Sequence, residues 1–200
     1  GAVMKANLYD FDKTVFPTDS ETTFWLFCLK KQPKLLRFLP GQIVSMIRFS
    51  LKIGDTDKMK SKLFGFLKAV DSEKMVQAFW AKNYKNIYPF FISRDTALPT
   101  VICSASPEFL LQPVCEKLGV QKLIGTKMNP KTGEITGRNC KGKEKVSRIS
   151  GELADYTFNC VYSDSVKHDG PIFALGERNF KATKGIIEEI KISGTEKNDY

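Results

Sequence analysis

Two aspartates and a threonine alternate in Asp10-x-Asp12-x-Thr14, directly after a short apolar run at residues 3–9 that predicts a strand. Alternate residues of an extended chain face the same way, so the two carboxylates are expected on one side of a tight turn. Two like charges held close together repel each other and need a cation. A hard ion such as Mg²⁺, which takes carboxylate oxygens and keeps waters and substrate phosphate, meets that need.

Two later strand-like runs also end in polar residues. Residues 100–103 run into Ser104, and residues 158–162 run into Asp164, with Asp169 five residues further on. Short apolar runs separated by helical stretches predict parallel strands joined by crossovers. Ligands of such open sheets bind beyond the carboxyl ends of the strands. We therefore expect these polar side chains to share one crevice with the first two aspartates.

The elements that must position these residues predict an α/β fold, a Rossmann-like parallel sheet with an inserted helical subdomain. Roughly eighty residues between the first two runs carry apolar side chains at near-helical spacing, with Pro40-Gly41 and Gly54-Asp55 as breaks. Further along, the pattern predicts a helix, a strand, a hairpin, a last strand and a short final helix. These lie at residues 108–118, 122–125, 127–138, 171–175 and 185–192, respectively.

In this arrangement the sequence resembles the haloacid dehalogenase-like (HAD) superfamily, and most closely its subfamily IB, which includes phosphoserine phosphatases. Four segments carry the resemblance: residues 10–15 are similar to motif I, 101–108 to motif II, 140–149 to motif III, and 162–165 with Asp169 to motif IV. The helical insert is similar to the family's C1 cap. The resemblance implies a Rossmann-like core at residues 1–17 and 99–200 and a helical cap at residues 18–98.

The resemblance also implies a Mg²⁺-dependent phosphatase that hydrolyses a phosphate monoester in a small phosphorylated substrate. Asp10 would attack phosphorus and form an aspartyl phosphate, while Asp12 would act as general acid and base. Ser104 and a motif III lysine would stabilise the phosphoryl oxygens. The implied metal residues are Asp10, Asp12 (through its backbone carbonyl), Asp164 and Asp169. The candidate substrate contacts are Thr14, Asp19, Ser104 and Ser106.

Two positions leave alternatives open. Motif III holds three lysines, and Lys145 is favoured because a lysine just before the apolar start of a helix matches many subfamily members; Lys141 is second, and Lys143 is the third. In motif IV the subfamily more often has a shorter spacing, which would bring His168 to the position of the second acid. Asp169 is the preferred second acid, and His168 is expected to be exposed or to lie behind the metal ligands.

Two further segments border the predicted site. In phosphoserine phosphatases an acidic residue near the position of Asp19 faces the amino group of the substrate, so Asp19 is a candidate substrate contact. An N-cap at Asp19 or Ser20 explains these residues equally well. The hairpin at residues 127–138 is expected to be a structural flap.

Composition excludes several other classes of protein. The 200 residues are 42% apolar, enough to bury a core, and the apolar stretch without a charge at residues 38–47 is too short to span a bilayer. The amino-terminal residues show no secretory signal pattern. Five widely spaced cysteines and one histidine predict neither a disulfide framework nor a zinc site. A reducing compartment, the cytoplasm, is therefore expected.

The net charge of +9 is concentrated in one part of the chain: ten basic but only two acidic residues lie between positions 22 and 70. A solvated lysine face on an amphipathic subdomain is the simpler interpretation. The alternative is that the basic, apolar cap makes peripheral contact with an anionic membrane, either as a lipid-phosphate phosphatase or as a membrane-binding module. Nucleic acid is not an expected partner, because no recognised nucleic-acid-binding motif accompanies the charge. The sequence does not predict the oligomeric state.

Overall fold

The computed structural model describes residues 3–192, and a single sheet runs through it. Its strands are β1 (Met4–Tyr9), β2 (Thr100–Pro107), β3 (Lys122–Thr126), β4 (Tyr156–Ser163), β5 (Gly176–Thr183) and β6 (Ile186–Ile190). Their spatial order is β3-β2-β1-β4-β5-β6. The first five strands are parallel, and β6 is antiparallel to β5. The predicted α/β fold with a Rossmann-like sheet is confirmed.

The helices fall into two groups along the chain. Five α-helices lie between β1 and β2: α1 (Ser20–Lys31), α2 (Leu39–Ser50), α3 (Thr56–Leu63), α4 (Ser72–Asn83) and α5 (Pro89–Ile92). Short 3-10 helices at Pro33–Phe38, Phe64–Ala69 and Tyr84–Asn86 connect them. Three more α-helices follow β2: α6 (Glu108–Lys117), α7 (Lys143–Glu152) and α8 (Val166–Phe173).

Apolar side chains cover both faces of the sheet, because successive residues of a strand point to opposite sides. Ala6 and Leu8 of β1 pack in one layer with Ile149 of α7 and Phe173 of α8. Tyr9 belongs to the opposite layer, which α6 and the inserted helices complete. A parallel sheet buried on both faces leaves the carboxyl ends of its strands as the accessible place for a site.

Two of the predicted elements at the carboxyl end of the chain are wrong. Residues 171–175, predicted as a strand, form the end of α8 and the turn after it; Ser165 caps that helix by accepting a hydrogen bond from His168 N at 3.2 Å. The helix predicted at residues 185–192 is replaced by strand β6. Lys184 and Gly185 both have positive φ, 50° and 82°, and such a pair forms the tight two-residue turn of a β-hairpin.

The inserted helices are bonded to the rest of the fold. Trp80 Nε1 of α4 donates to Leu110 O of α6 at 2.6 Å, and Asn139 N donates to Asp57 Oδ1 of α3 at 2.9 Å. One apolar layer continues from the sheet into the insert without a break. Because no break in this layer separates the insert from the sheet, the predicted boundaries of the cap at residues 18–98 stay a prediction.

The cysteines and the helices bear on two features of the composition. All five cysteines are buried thiols, with no disulfide among them. Within residues 3–192, no helix combines the length and the apolarity needed to cross a membrane.

Candidate active site

Three aspartates from separate parts of the chain meet at the carboxyl ends of β1 and β4. One carboxylate oxygen from each of Asp10, Asp164 and Asp169 lies within 4.8 Å of the others. Asp10 directly follows β1, Asp164 directly follows β4, and Asp169 lies in the first turn of α8. Because β1 and β4 are parallel neighbours, their ends open at the same edge of the sheet. The sequence predicted this convergence from the order of the strands.

Lys145 is the cation that holds two of these carboxylates. Its Nζ donates to Asp10 Oδ1 at 2.7 Å and to Asp169 Oδ1 at 2.8 Å, and its side chain is buried. Lys141 and Lys143 are exposed, so of the three candidate lysines the structure brings Lys145 to the aspartates. Burial alone lowers the pKa of Lys145, but the two carboxylates outweigh burial and raise it above the ordinary lysine value.

The Asp12 carboxylate points away from this group of aspartates. Its Oδ2 accepts a hydrogen bond from Ser106 Oγ at 2.6 Å, and its Oδ1 accepts from Ser20 N at 3.0 Å. Burial raises the pKa of Asp12, while the hydrogen bonds from Ser106 and Ser20 oppose the rise. A carboxyl group with a raised pKa can carry a proton closer to neutral pH, as a general acid must. The backbone carbonyl of Asp12 remains the group that the resemblance assigns to a metal.

Hydroxyl groups support the aspartates. Thr14 Oγ1 accepts from Asp164 N at 2.9 Å and donates to Asp10 Oδ2 at 3.3 Å, which joins the ends of β1 and β4. Ser104 is buried, and its Oγ accepts from Ser106 N at 3.1 Å. Among the described residues, the Ser104 hydroxyl proton has no acceptor, so it can donate to a ligand oxygen. The predicted substrate contacts of Thr14, Ser104 and Ser106 stay predictions.

The turn after β1 has an unusual backbone. Lys13 has a φ of 61°, a left-handed conformation that non-glycine residues adopt rarely. The amide groups of Val15 and Phe16 both donate to Phe11 O, at 2.9 and 3.0 Å, and hold the chain in this turn. Such backbone strain is often found where a functional side chain must be aimed. Here the left-handed residue lies between Asp12 and Thr14.

Sequence reasoning missed a buried ion pair beside the site. Lys60 of α3 is paired with Glu21 of α1, and its Nζ also donates to Ala105 O at 2.6 Å and to Asn139 Oδ1 at 2.9 Å. Burial raises the pKa of Glu21 to about 7, although Lys60 opposes the rise. In the sequence Lys60 was one cation among ten, and no periodicity distinguished it. Only the packing of α3 against β2 and the segment before α7 reveals its position.

Two residues with alternative predicted roles are also located. Asp19 caps α1, since its Oδ1 accepts from Thr22 N at 2.7 Å, and it lines the cavity that contains Asp12. The half-buried acid near this position is Glu21, two residues later. His168 is exposed, as expected.

The cavity beside Asp12 has a volume of about 800 Å³. Its lining includes Asp19 and Glu21 from α1 and its cap, Lys60 from α3, and Lys141 from the loop before α7. Acidic and basic groups both face it, which suits a polar ligand with more than one charged group. The cavity lies between the inserted helices and the sheet.

The donor set fits a divalent cation. Asp10, Asp164 and Asp169 bring three carboxylates together, and within residues 3–192 the ion pairs made to them come from one cation, Lys145. Burial also raises the pKa of Asp164, with Asp169 adding to the rise. Grouped carboxylates with too little positive charge nearby are the oxygen ligands that Mg²⁺ selects. These residues would hold the ion and its waters.

Three aspartates and a lysine meet at the strand ends of a parallel sheet, an arrangement that suits a hydrolase. Similarity to known proteins identifies the hydrolase family. The model of the haloacid dehalogenase-like hydrolase family matches residues 8–173. The chain belongs to this family, which confirms the resemblance seen in the sequence.

Among curated proteins, Protein CicA of Caulobacter vibrioides is 29% identical over 91 residues. The match covers 42% of this chain, and the chain spans only 41% of the length of that relative.

Solved structures share the fold at low sequence identity. A protein of unknown function from Bordetella pertussis Tohama I has a TM-score of 0.69 at 21% identity, covering 82% of this chain and 84% of its own. A probable phosphoserine phosphatase from Vibrio cholerae has a TM-score of 0.62 at 13% identity, and the match covers 88% of this chain and 55% of the other. A phosphoserine phosphohydrolase-like protein from Francisella tularensis has a TM-score of 0.57 at 16% identity, and the match covers 88% of this chain and 86% of the other. At such identities the likeness establishes the fold.

Proposed function

We propose that this hydrolase is a Mg²⁺-dependent phosphatase that acts on a phosphate monoester through an aspartyl phosphate. The observation that carries the proposal is the contact between Lys145 Nζ and Asp10 Oδ1 at 2.7 Å, within 4.8 Å of two further carboxylates. The grouping provides a carboxylate nucleophile, a fixed cation and a metal-binding oxygen set in one place. Phosphoryl transfer needs little else beyond positioning and charge stabilisation.

In this proposal the reaction takes two displacements at phosphorus. An Asp10 carboxylate oxygen forms a bond to phosphorus while the bond to the leaving alcohol breaks, and Asp12 gives its proton to the departing oxygen. Water then attacks the same phosphorus, passes a proton to Asp12 and restores the Asp10 carboxylate. The pKa of Asp12, raised by burial, supports the first proton transfer.

The remaining groups stabilise negative charge. Lys145 and the Ser104 hydroxyl would neutralise and bind phosphoryl oxygens. Mg²⁺, held by Asp10, Asp164 and Asp169 together with the Asp12 carbonyl, would act as a Lewis acid and shield the nucleophile from the charge of the phosphate. Lys145 also orients Asp169, with Ser163 Oγ donating to Asp169 Oδ2 at 2.6 Å on the other side.

We further propose that residues 18–98 act as a cap over a catalytic core made of residues 1–17 and 99–200. Lys60 supports this division, because it reaches from α3 to Ala105 O, in the segment that carries Ser104. A helical segment held over the strand ends would exclude bulk water during phosphoryl transfer and admit it for hydrolysis.

The test is hydrolysis of p-nitrophenyl phosphate with and without Mg²⁺. Asp10→Asn is expected to lower kcat/KM by at least about 10³-fold, because an amide is a poor nucleophile. EDTA should stop turnover reversibly. Asp155→Asn, which changes an exposed aspartate, is the matched control and should turn over normally. Undiminished turnover by the Asp10 variant would refute the assignment of the nucleophile.

A lipid phosphate is a second candidate substrate, because an apolar cavity of about 280 Å³ lies within the insert. Trp25, Met46 and Phe66 are among its lining residues, and Glu21 lines both this cavity and the one that contains Asp12. An acyl chain could therefore occupy the first while the phosphate lies in the second. We expect lysophosphatidate to be hydrolysed faster than glycerol 3-phosphate, which lacks the acyl chain. Equal rates would refute the lipid phosphate as a substrate.

A further inference from the structure

Helix α2 is inverted relative to an ordinary surface helix. Its one buried residue is a glutamine, Gln42, which is 4% exposed and whose Nε2 donates to Leu63 O at 2.7 Å. On the opposite side of the helix the side chains are apolar. A surface helix normally turns its apolar stripe towards the core and its polar residues towards water. In α2 the core receives the amide instead.

Exposed apolar residues opposite Gln42 form one surface, here called the outer face of α2, made of Val44, Ile47 and Leu51. Val44, Ile47 and Leu51 are 55%, 54% and 65% exposed, and they are spaced three and four residues apart, so they line up on one side. Scattered exposed apolar residues are common, but a contiguous patch marks an interaction surface.

Two basic residues adjoin the outer face, and two more lie in the element before α2. Arg48 borders the outer face on α2 and Lys52 follows directly after the helix, while Lys34 and Arg37 lie in the preceding 3-10 helix; all four are exposed. The partner must therefore offer both negative charge and apolar groups. A second copy of this chain would bring two strongly basic surfaces together. Nucleic acid would supply charge but nothing to cover the isoleucine and leucine side chains.

We propose that the outer face of α2 docks on an anionic lipid bilayer, with the helix lying in the plane of the interface. A bilayer provides hydrocarbon for the apolar side chains and anionic headgroups for the arginines and lysines. Phe49 of the same helix lines the cavity that contains Asp12. Docking thus brings the active-site cavity to within about 10 Å, one helix diameter, of the membrane surface. The docking does not depend on catalysis.

The direct test is co-sedimentation with vesicles of phosphatidylglycerol and phosphatidylcholine, compared with vesicles of phosphatidylcholine alone. The protein should bind the anionic vesicles, bind the neutral ones weakly, and detach as added salt screens the charges. Ile47→Glu should lower the partition coefficient at least about tenfold, because it places a carboxylate at the hydrocarbon boundary. Ile92→Glu, at an isoleucine that is 50% exposed on α5, is the matched control and should bind like the parent.

A second variant tests the electrostatic contribution. Arg48→Gln combined with Lys52→Gln should weaken binding to anionic vesicles by about fivefold for each charge removed, and should leave the small residual binding to neutral vesicles unchanged. Ile47→Glu should keep the parent's circular dichroism and its turnover of p-nitrophenyl phosphate, so that lost binding is separated from lost folding or activity.

Three results would overturn the proposal. The first is no binding to anionic vesicles, or equal binding to both kinds. The second is an equal loss of binding in the Ile47 and Ile92 variants. The third is light scattering that shows a dimer which Ile47→Glu dissociates, with no vesicle binding by the parent; the outer face would then be a contact between copies of the chain.

Discussion

The aspartate group and the outer face of α2 both reverse the usual distribution of residues, but in opposite senses. At Asp10 and Asp169, charged groups are buried at the sheet edge. At Val44 and Ile47, apolar groups are exposed to water. Charged residues are seldom fully buried unless they are paired, and contiguous apolar patches are seldom left exposed, so each region is costly in the isolated protein.

The difference between the two regions indicates what each one binds. The buried group joins three carboxylates to one lysine, Lys145, a donor set that suits a cation as its partner. The outer face lacks cover for its apolar side chains and is bordered by positive charge, so its partner must be apolar and anionic. The aspartate group lies inside the fold, whereas the outer face of α2 lies on its surface. Substitutions should therefore affect folding and activity very differently at the two places.

The largest expected effect is at Lys145. Lys145→Met should lower kcat/KM about 10²- to 10³-fold, because it removes the fixed cation beside the nucleophile. The free energy of unfolding should fall by about 3–5 kcal/mol, because two buried carboxylates lose their partner. Steady-state kinetics and urea unfolding measure both. Lys141→Met and Lys143→Met change exposed lysines of the same segment and should have small effects; an equal loss in either would reassign the lysine.

A pair of apolar substitutions tests whether the outer face contributes to folding. Trp80 is buried against Phe79 and Phe16, and Trp80→Ala should lower the free energy of unfolding by about 3–5 kcal/mol. Ile47→Ala should change it by less than about 0.5 kcal/mol, because the side chain is already in water. Urea unfolding checks both. A cost above about 2 kcal/mol for the Ile47 variant would show that the outer face is packed in solution.

A smaller effect is expected from the half-buried Glu21. Burial raises its pKa from the ordinary value of 4.5 to about 7, so between these pH values the folded protein holds a proton that the unfolded chain releases. Stability from this group is therefore complete below pH 4.5 and is lost as the pH rises to about 7, by at most roughly 3 kcal/mol.

Unfolding curves at several pH values test this expectation by comparison with Glu21→Gln, which cannot ionise. The difference in unfolding free energy between the parent and this variant should change across that range and stay constant above it. A difference that does not vary with pH would contradict the raised pKa. Other buried acids are present in both proteins, so their contributions cancel.

Much of the site could be predicted from the sequence, because strand ends are visible there. Asp10 and Asp164 each directly follow a strand, and parallel neighbours bring such ends together. Ser104 instead lies inside β2, which continues to Pro107 rather than ending at residue 103 as predicted. The resemblance to the family favours Lys145 among the three lysines of motif III, and the structure brings it to Asp10.

Other features depend on packing that no local pattern contains. The pairing of Lys60 with Glu21 joins α3 to α1, and only the path of the chain through the insert brings them together. Helical spacing revealed the apolar stripe of α2 but not which side of the helix meets water, and the burial of Gln42 settles that. The apolar runs near residues 171–175 and 185–192 are short enough to suit a helix or a strand. At residues 185–192 the tight turn at Lys184 and Gly185 folds the chain back on β5, so the run forms a strand.

The central claim, that Asp10 becomes phosphorylated during turnover, can be tested by chemical trapping. Borohydride reduces an acyl phosphate to an alcohol and leaves a free carboxylate unchanged, so a trapped aspartyl phosphate is converted to homoserine. The protein is mixed with p-nitrophenyl phosphate and Mg²⁺, quenched, reduced, digested and analysed by mass spectrometry. Homoserine at position 10, dependent on substrate and absent in Asp10→Asn, is the predicted result. Turnover without homoserine at position 10, or with homoserine at another aspartate, would contradict it.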